Sequence, residues 1–167
     1  MGFARYAFDI RRAAGADLDA VERLNRKLQD YERRLRPSRR PARSVPRSYV
    51  EGLLRKDKTN AGRLFVATSS GVLVGFLACA LESDVLERDA RRIYVSDLVV
   101  SPAWRRRGVA AALMAAAKGF ARKKGVRWVE ISALTRNTAA RRAYLALGFR
   151  ESAITFEQRL SVSMKRE

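Results

Sequence analysis

The stretch Arg105-Arg106-Arg107-Gly108-Val109-Ala110 separates a strand-like segment from a helix-like segment. Residues 93–100 before it are mostly apolar or β-branched and end at Ser101-Pro102, which is typical of a buried strand followed by a turn. The alanine-rich run after it, as far as Lys124, carries apolar residues at helical spacing. The sequence therefore predicts a strand, a basic turn containing glycine, and a helix.

The predicted start of this helix is suited to binding an anion. The first N–H groups of a helix have no intrahelical acceptor, and they lie at the positive end of the helix dipole. Gly108 and the small residues Ala110 and Ala111 would let a phosphate group approach the backbone closely. A basic turn before a helix is also often only a solvated corner, so this segment alone leaves both interpretations open.

A second motif follows the first. Residues 126–134 favour another strand, which leads into Asn137-x-x-Ala140-x-x-x-Tyr144-x-x-x-Gly148-Phe149. With Arg105-x-x-Gly108-x-Ala110 before it, this pattern resembles the GNAT superfamily of N-acetyltransferases, most densely over residues 94–149. The resemblance implies an α+β fold: a twisted mixed sheet of about six to seven strands, flanked by about four helices and splayed at the strand ending near Val100.

The composition limits the kinds of chemistry available. The chain has 167 residues, of which 47% are hydrophobic, and this predicts one domain spanning residues 1–167. The single cysteine, Cys79, lies in an apolar run and reads as a buried inert thiol, and histidine is absent. Histidine-based triads, intramolecular disulfides and cysteine or histidine metal sites are therefore excluded, and no metal is expected. Neither a membrane span nor a signal peptide is apparent, which predicts a cytoplasmic protein without membrane contact.

The rest of the chain predicts alternating strands and helices. Residues 6–12 favour a first strand, and the apolar spacing from Leu18 to Leu35 favours a first helix. Residues 33–47 contain seven arginines and three prolines and cannot form one regular helix. A second helix is predicted through Tyr49 and Leu54, a hairpin over residues 64–81, a charged loop over residues 82–92, and one or two closing strands over residues 152–165.

The resemblance implies acetyl-CoA as cosubstrate, lying where the strand ending near Val100 leaves its neighbour. The backbone of that strand would align the pantetheine and polarise the acetyl carbonyl, and the basic turn would hold the pyrophosphate. The cofactor-binding residues implied are Leu98, Val99, Val100, Arg105, Arg106, Arg107, Gly108, Val109, Ala110, Ala111, Asn137, Ala140 and Tyr144.

Asn137 and Tyr144 are seven residues apart and so share one face of a helix, with the small Ala140 between them. By resemblance, Asn137 binds the pantetheine arm and Tyr144 lies near the sulfur. A phenol with a pKa near 10 can protonate a departing thiolate, whose conjugate acid has a pKa of about 8.5. Tyr144 is thus predicted to be the general acid, with helix packing as the alternative role.

The general base is less clearly indicated. Family members often carry a carboxylate at the positions occupied here by Ser96 and Ser132. The remaining candidates are Glu82, Asp97 and Glu130, with Ser96 and Ser132 as a possible water relay. A structural role, tying its strand to a neighbouring turn, is the alternative for Asp97.

The favoured function is transfer of an acetyl group from acetyl-CoA to a primary amine of a small molecule or a protein, by direct attack in a ternary complex. Two alternatives stay open: a nucleic-acid-binding domain using residues 33–47, and a GNAT-like domain that binds CoA without turnover. The formal charge of +18 favours an anionic acceptor, although it is equally attributable to a biased composition. The acidic residues of the loop 82–92 argue against that preference. The oligomeric state is left as monomer or homodimer.

Overall fold

The computed structural model describes residues 7–158 and residue 160. Short 3-10 turns at Gly15–Asp17, Ala42–Ser44 and Pro102–Trp104 join the main elements. In chain order these elements are β1 (Asp9–Arg12), α1 (Leu18–Leu35), α2 (Arg47–Lys58), β2 (Gly62–Ser69), β3 (Val72–Ser83), β4 (Arg91–Val100), α3 (Val109–Lys123), β5 (Trp128–Ile131) and α4 (Thr138–Ala146). The predicted α+β class and the four helices are confirmed.

The five strands form one sheet in the order β1-β2-β3-β4-β5. Strands β1 to β4 pair antiparallel through short connections, whereas β5 is parallel to β4. A parallel pair needs a crossover connection, and α3 supplies it. The sheet is therefore mixed, as predicted.

Apolar residues are buried on both faces of the sheet, which explains the long apolar run in β3. Leu77 points into a cluster that includes Leu113 and Met114 of α3. The neighbouring residue Phe76 belongs to the opposite cluster, together with Val21 of α1 and Val50 of α2. This alternation follows from the two-residue period of a strand.

Strands β4 and β5 separate halfway along β4. Their pairing ends at Val95 and Ile131, whereas β4 continues to Val100 beside β3 alone. The register of β3 and β4 shifts between Ala78 and Cys79, which pair with Asp97 and Val95, so that Ser96 is the extra residue of a bulge. The predicted splay near Val100 is confirmed.

The predicted count of six to seven strands is wrong for the described part of the chain, where five strands form. Residues 152–158 contain no strand, and residues 159 and 161–165 lie outside the described residues. In the predicted first strand, β1 begins at Asp9, residues 7 and 8 are not in a strand, and residue 6 lies outside the described residues. Ile154 and Phe156 alternate as a strand would, yet they are exposed. Such a pattern forms a strand only where a sheet edge accepts it. Here Glu151 and Glu157 instead pair with Arg141 and Arg36, which hold the segment beside α4 and the end of α1.

Two smaller expectations agree with the structure. Residues 36–46 form a loop around the Ala42–Ser44 turn, not a regular helix. Cys79 is buried in β3, and desolvation raises the pKa of its thiol to about 12, so that the reactive thiolate is disfavoured.

Within the described residues, no helix combines the length and apolar character that crossing a membrane requires.

Candidate active site

A cleft of about 1080 Å³ opens where β4 and β5 separate. Helix α1 forms one wall, α4 forms the opposite wall, and the end of β4 forms the floor. Of the residues predicted to take part in binding or catalysis, the cleft is lined by Ser96, Asp97, Leu98, Val99, Val100, Arg105, Ala110, Ser132, Asn137, Ala140 and Tyr144. The two sequence motifs therefore meet at one site.

The turn before α3 has an unusual backbone. Gly108 caps the helix with a φ of 84°, and Arg106 has a φ of 58°, a conformation that is strained for a residue with a side chain. In the described structure no backbone carbonyl accepts the N–H groups of Val109, Ala110 or Ala111. Alternating backbone conformations of this kind direct successive N–H groups into a concavity that suits an anion.

The end of β4 exposes backbone to the cleft. Leu98 and Val100 are half-buried, and β5 no longer pairs with β4 at this level. The Arg105 Nε donates a hydrogen bond of 3.4 Å to the carbonyl of Val100, which joins the basic turn to the strand. An extended ligand could therefore form strand-like hydrogen bonds along the floor.

Asn137 caps α4 and also contacts α1. Its Oδ1 accepts hydrogen bonds from the N–H of Ala140 at 3.1 Å and from the hydroxyl of Tyr31 at 3.3 Å. No described residue accepts a hydrogen bond from Asn137 Nδ2. The cap therefore fixes the side chain and leaves its amide N–H groups to a ligand.

Tyr144 lines the cleft with a hydroxyl that hydrogen-bonds to no described residue. Its ring packs at 6.2 Å from the ring of Phe149. Burial raises the pKa of Tyr144 to about 12, and the nearby charge of Glu32 contributes to the rise. The hydroxyl is consequently protonated near neutral pH and available as a donor.

Asp97 is 3% exposed and accepts three hydrogen bonds. The donors are the hydroxyl of Tyr49 at 2.7 Å, the hydroxyl of Ser96 at 2.8 Å and the Nδ2 of Asn25 at 3.1 Å. Burial raises the pKa of Asp97, while these hydrogen bonds oppose the rise. Because Asn25 belongs to α1 and Tyr49 to α2, Asp97 ties β4 to both helices.

Only some of the other residues predicted to act as a base or to order water lie at the cleft. Glu130 lies 3.4 Å from Arg92 on the outer part of the sheet, and Glu82 lines a separate pocket of about 20 Å³. Ser132 lines the main cleft, and its hydroxyl accepts a hydrogen bond from Tyr94 at 3.2 Å. The structure thus brings Ser96, Asp97 and Ser132 to the cleft and leaves Glu82 and Glu130 outside it.

The wall formed by α1 contains polar residues that the sequence interpretation had assigned no function. Tyr31 and Glu32 line the cleft, and Glu32 lies 2.9 Å from Arg39. The available signal was the polar pair Asn25 and Glu32, seven residues apart beside the apolar face of α1.

The arginine-rich segment is partly neutralised. Arg36 pairs with Glu157, Arg39 with Glu32, and Arg47 with three carboxylates, those of Asp19, Glu22 and Glu51. Arg33 and Arg34 line the cleft, and neither pairs with a described carboxylate.

Comparison with known proteins agrees with this geometry. A sequence model described as the acetyltransferase (GNAT) family matches residues 25–149. Aminoglycoside N(6')-acetyltransferase type 1 of Salmonella typhimurium is 27% identical over 136 residues, which cover 79% of this chain and 92% of that protein. An uncharacterised N-acetyltransferase of Methanocaldococcus jannaschii is 33% identical over 110 residues, which cover 65% of this chain and 46% of that protein.

Solved structures show the same fold. A mutant protein from Bacillus halodurans has a TM-score of 0.80 at 20% identity, with 92% of this chain and 99% of that chain covered. The aminoglycoside N-acetyltransferase AAC(6')-Iy in complex with CoA has a TM-score of 0.72 at 24% identity, with 93% and 96% covered.

Proposed function

Because the chain belongs to the acetyltransferase (GNAT) family, it is an acetyltransferase enzyme, and we propose that it moves an acetyl group from acetyl-CoA to a primary amine. Direct attack of the amine in a ternary complex is the proposed route. One observation carries this proposal: the cleft between β4 and β5 joins the start of α3, whose first N–H groups have no described backbone acceptor, to the free hydroxyl of Tyr144.

The residues present fit acetyl-CoA. The first N–H groups of α3, with Arg105, Arg106 and Arg107 beside them, would hold the pyrophosphate. The backbone of Leu98 and Val100, beyond the residues that pair with β5, would bind the pantetheine arm and polarise the acetyl carbonyl. The Nδ2 of Asn137 would donate to a carbonyl of that arm, while Ala140 leaves room for it. Bound there, acetyl-CoA supplies an activated thioester.

Tyr144 is proposed to donate its hydroxyl proton to the departing thiolate. The structure supports this role because the hydroxyl lies in the cleft without another acceptor. Ser96 and Ser132 line the same cleft and are proposed to order water near the attacking amine. Asp97 already accepts three hydrogen bonds, which favours its structural role.

Two classes of acceptor are candidates, an amine with nearby negative charge and a cationic aminoglycoside. The formal charge of +18, with Arg33 and Arg34 at the cleft, supports an amine that carries nearby negative charge. The relative from Salmonella typhimurium, and the carboxylates Asp30 and Glu32 in the cleft, support an aminoglycoside instead. We propose the anionic acceptor, and a direct competition between the two classes decides.

Two further features belong to the same proposal. The two core clusters share one sheet, which supports a single domain over residues 1–167. A cytoplasmic location remains a prediction.

The substitution Tyr144→Phe tests the chemistry. Loss of the donor should lower kcat by about 10²-fold or more, because the thiolate then leaves without a proton. The calorimetric Kd for acetyl-CoA should stay unchanged, since the aromatic ring is kept. Full turnover by the variant, under conditions in which chemistry limits the rate, would show that Tyr144 only packs.

The alternative functions are separated by three measurements on the wild-type protein: thiol release with a panel of amines, a thermal shift with CoA, and salt-dependent binding of DNA or RNA. A thermal shift without thiol release would indicate CoA binding without turnover. Binding of DNA or RNA, without thiol release and without a thermal shift with CoA, would indicate the nucleic-acid-binding alternative.

A further inference from the structure

Glu32 has one oxygen fixed and one oxygen available. It lies in the second half of α1 and lines the cleft, with 19% of its side chain exposed. Arg39 Nη1 lies 2.9 Å from Glu32 Oε2. Among the described residues, none donates a hydrogen bond to Oε1. This oxygen is therefore free to bind a donor that enters the cleft.

The position of Glu32 on α1 follows from the helix geometry. Asn25 is seven residues earlier and so lies on the same face, and it contacts Asp97 of β4 at 3.1 Å. Glu32 lies two turns further along that face, about 10 Å from Asn25. The adjacent Tyr31 reaches Asn137 of α4 across the cleft. Glu32 therefore faces the space between the floor of the cleft and the wall that carries Tyr144.

We propose that Glu32 is the catalytic carboxylate that binds the ammonium group of the acceptor and takes its proton. This inference rests on the proposed acetyltransferase function and deepens it, because it identifies the group that activates the amine.

The other carboxylates suit this role less well. Asp97 is 3% exposed and already accepts three hydrogen bonds. Glu82 and Glu130 lie outside the cleft. Asp30 lines the cleft but is exposed to solvent, where water competes for an ammonium group. Among the described carboxylates, Glu32 alone combines half-burial, a position in the cleft and an oxygen without a donor.

The surroundings adjust the basicity of Glu32. Burial raises its pKa, the positive charge of Arg39 lowers it, and the negative charge of Asp97 raises it again. Tyr144 of α4, which lines the cleft, and Tyr49 of α2, which does not, both have a pKa that the charge of Glu32 helps to raise. Arg39 thus favours the ionised form that accepts a proton, while burial makes that form a stronger base than an exposed glutamate.

The proton balance is complete with groups already in the cleft. One ammonium proton passes to Glu32 Oε1, which leaves a neutral amine with a free electron pair. The nitrogen–carbon bond forms as the carbon–sulfur bond breaks, and the thiolate takes the hydroxyl proton of Tyr144. The new amide nitrogen must also lose a proton, and this proton passes to the Tyr144 oxygen and restores its hydroxyl group. Glu32 then releases its proton to solvent.

The test uses two nucleophiles of similar shape, an alkylamine and an alkoxyamine. Benzylamine is an ammonium ion near neutral pH and needs a base, whereas O-benzylhydroxylamine is already neutral. If benzylamine is not used, the fastest alkylamine among ethanolamine, lysine, spermidine, kanamycin and the α-amine of an acidic peptide replaces it. Glu32→Gln should lower kcat/KM for the alkylamine by about 10²-fold or more and leave the alkoxyamine rate near that of the wild type.

Glu22→Gln is the matched control. Glu22 lies on the same helix, pairs with arginines and is 14% exposed, but it does not line the cleft. It should behave as the wild type with both nucleophiles. Arg39→Gln should raise the pKa of Glu32 and move the acidic limb of the kcat/KM profile for the alkylamine to higher pH. A role in packing alone would not cause this shift.

The outcomes separate this inference from the function on which it rests. An equal loss with both nucleophiles, or no loss with either, overturns the role of Glu32 while acetyl transfer by the wild type stands. A wild-type protein that releases no thiol with any of these amines overturns the proposed function, and the role of Glu32 with it. Calorimetry of Glu32→Gln with acetyl-CoA should give the wild-type Kd.

Discussion

At the scale of single residues, Gly108 has a φ of 84°, a conformation that side chains rarely adopt, and an added Cβ would meet no atom within 4 Å, so a side chain at this position would project into open space. Gly108→Glu should abolish binding of acetyl-CoA, because it places bulk and negative charge against the pyrophosphate. Isothermal titration calorimetry measures the effect directly.

Gly71→Glu separates this effect from backbone strain. Gly71 has a φ of 76° in the β2–β3 hairpin, and its Cβ would likewise meet nothing within 4 Å. Both variants should lose similar stability, but only Gly108→Glu should lose the ligand. A folded Gly108→Glu protein with wild-type affinity would contradict the site. The position of this glycine was predictable because the strand, the basic turn and the helix adjoin in sequence, whereas the strained conformation of Arg106 was not.

At the scale of the elements, Asp97 joins β4 to α1 and α2. Burial raises its pKa in the folded protein above the unfolded value of about 3.9. The folded state therefore holds the proton more tightly, so that this contribution to stability is present at low pH and is lost as the pH rises through the folded-state pKa. In Asp97→Asn the buried charge is absent, and the free Oδ1 of Asn25 could accept from the new amide after a side-chain flip.

Relative to the wild type, Asp97→Asn should accordingly have a higher free energy of unfolding as the pH rises from about 4, where an unfolded aspartate titrates, through the raised folded-state pKa of Asp97. Urea denaturation across this pH range measures the difference, and the exposed Asp9→Asn is the control. A difference that does not change with pH would contradict the assignment. Sequence patterns predicted the helices and β4, but not this network, because its members are 48 and 72 residues apart in the chain. The bulge that places Ser96 beside Asp97 depends on the register of two strands, which the composition of either strand does not determine.

At the scale of the whole molecule, the net charge was predictable from the sequence, and its local distribution was not. Residues 33–47 contain seven arginines, yet Arg36, Arg39 and Arg47 pair with carboxylates from other parts of the chain. The strand pattern of residues 152–158 failed for a related reason, since a distant arginine holds Glu157 and no sheet edge receives the segment. In both cases the partner lies outside the segment whose composition suggested the prediction.

Arg40 and Arg43 are exposed and pair with no described carboxylate, and unlike Arg33 and Arg34 they do not line the cleft, so they test whether the arginine-rich segment attracts an acceptor from a distance. We expect the α-amine of an acidic peptide to be acetylated with a higher kcat/KM than spermidine or an aminoglycoside, and this kcat/KM should fall as salt screens the attraction. Changing Arg40 and Arg43 to Gln should weaken the preference and flatten the salt dependence without altering the Kd for acetyl-CoA. The matched control changes Arg122 and Lys123, exposed at the end of α3, to Gln, which removes the same charge away from the cleft. Equal effects from the two double variants would indicate that only net charge matters. Efficient acetylation of spermidine or kanamycin, together with no acetylation of acidic peptides, would contradict the proposed anionic acceptor.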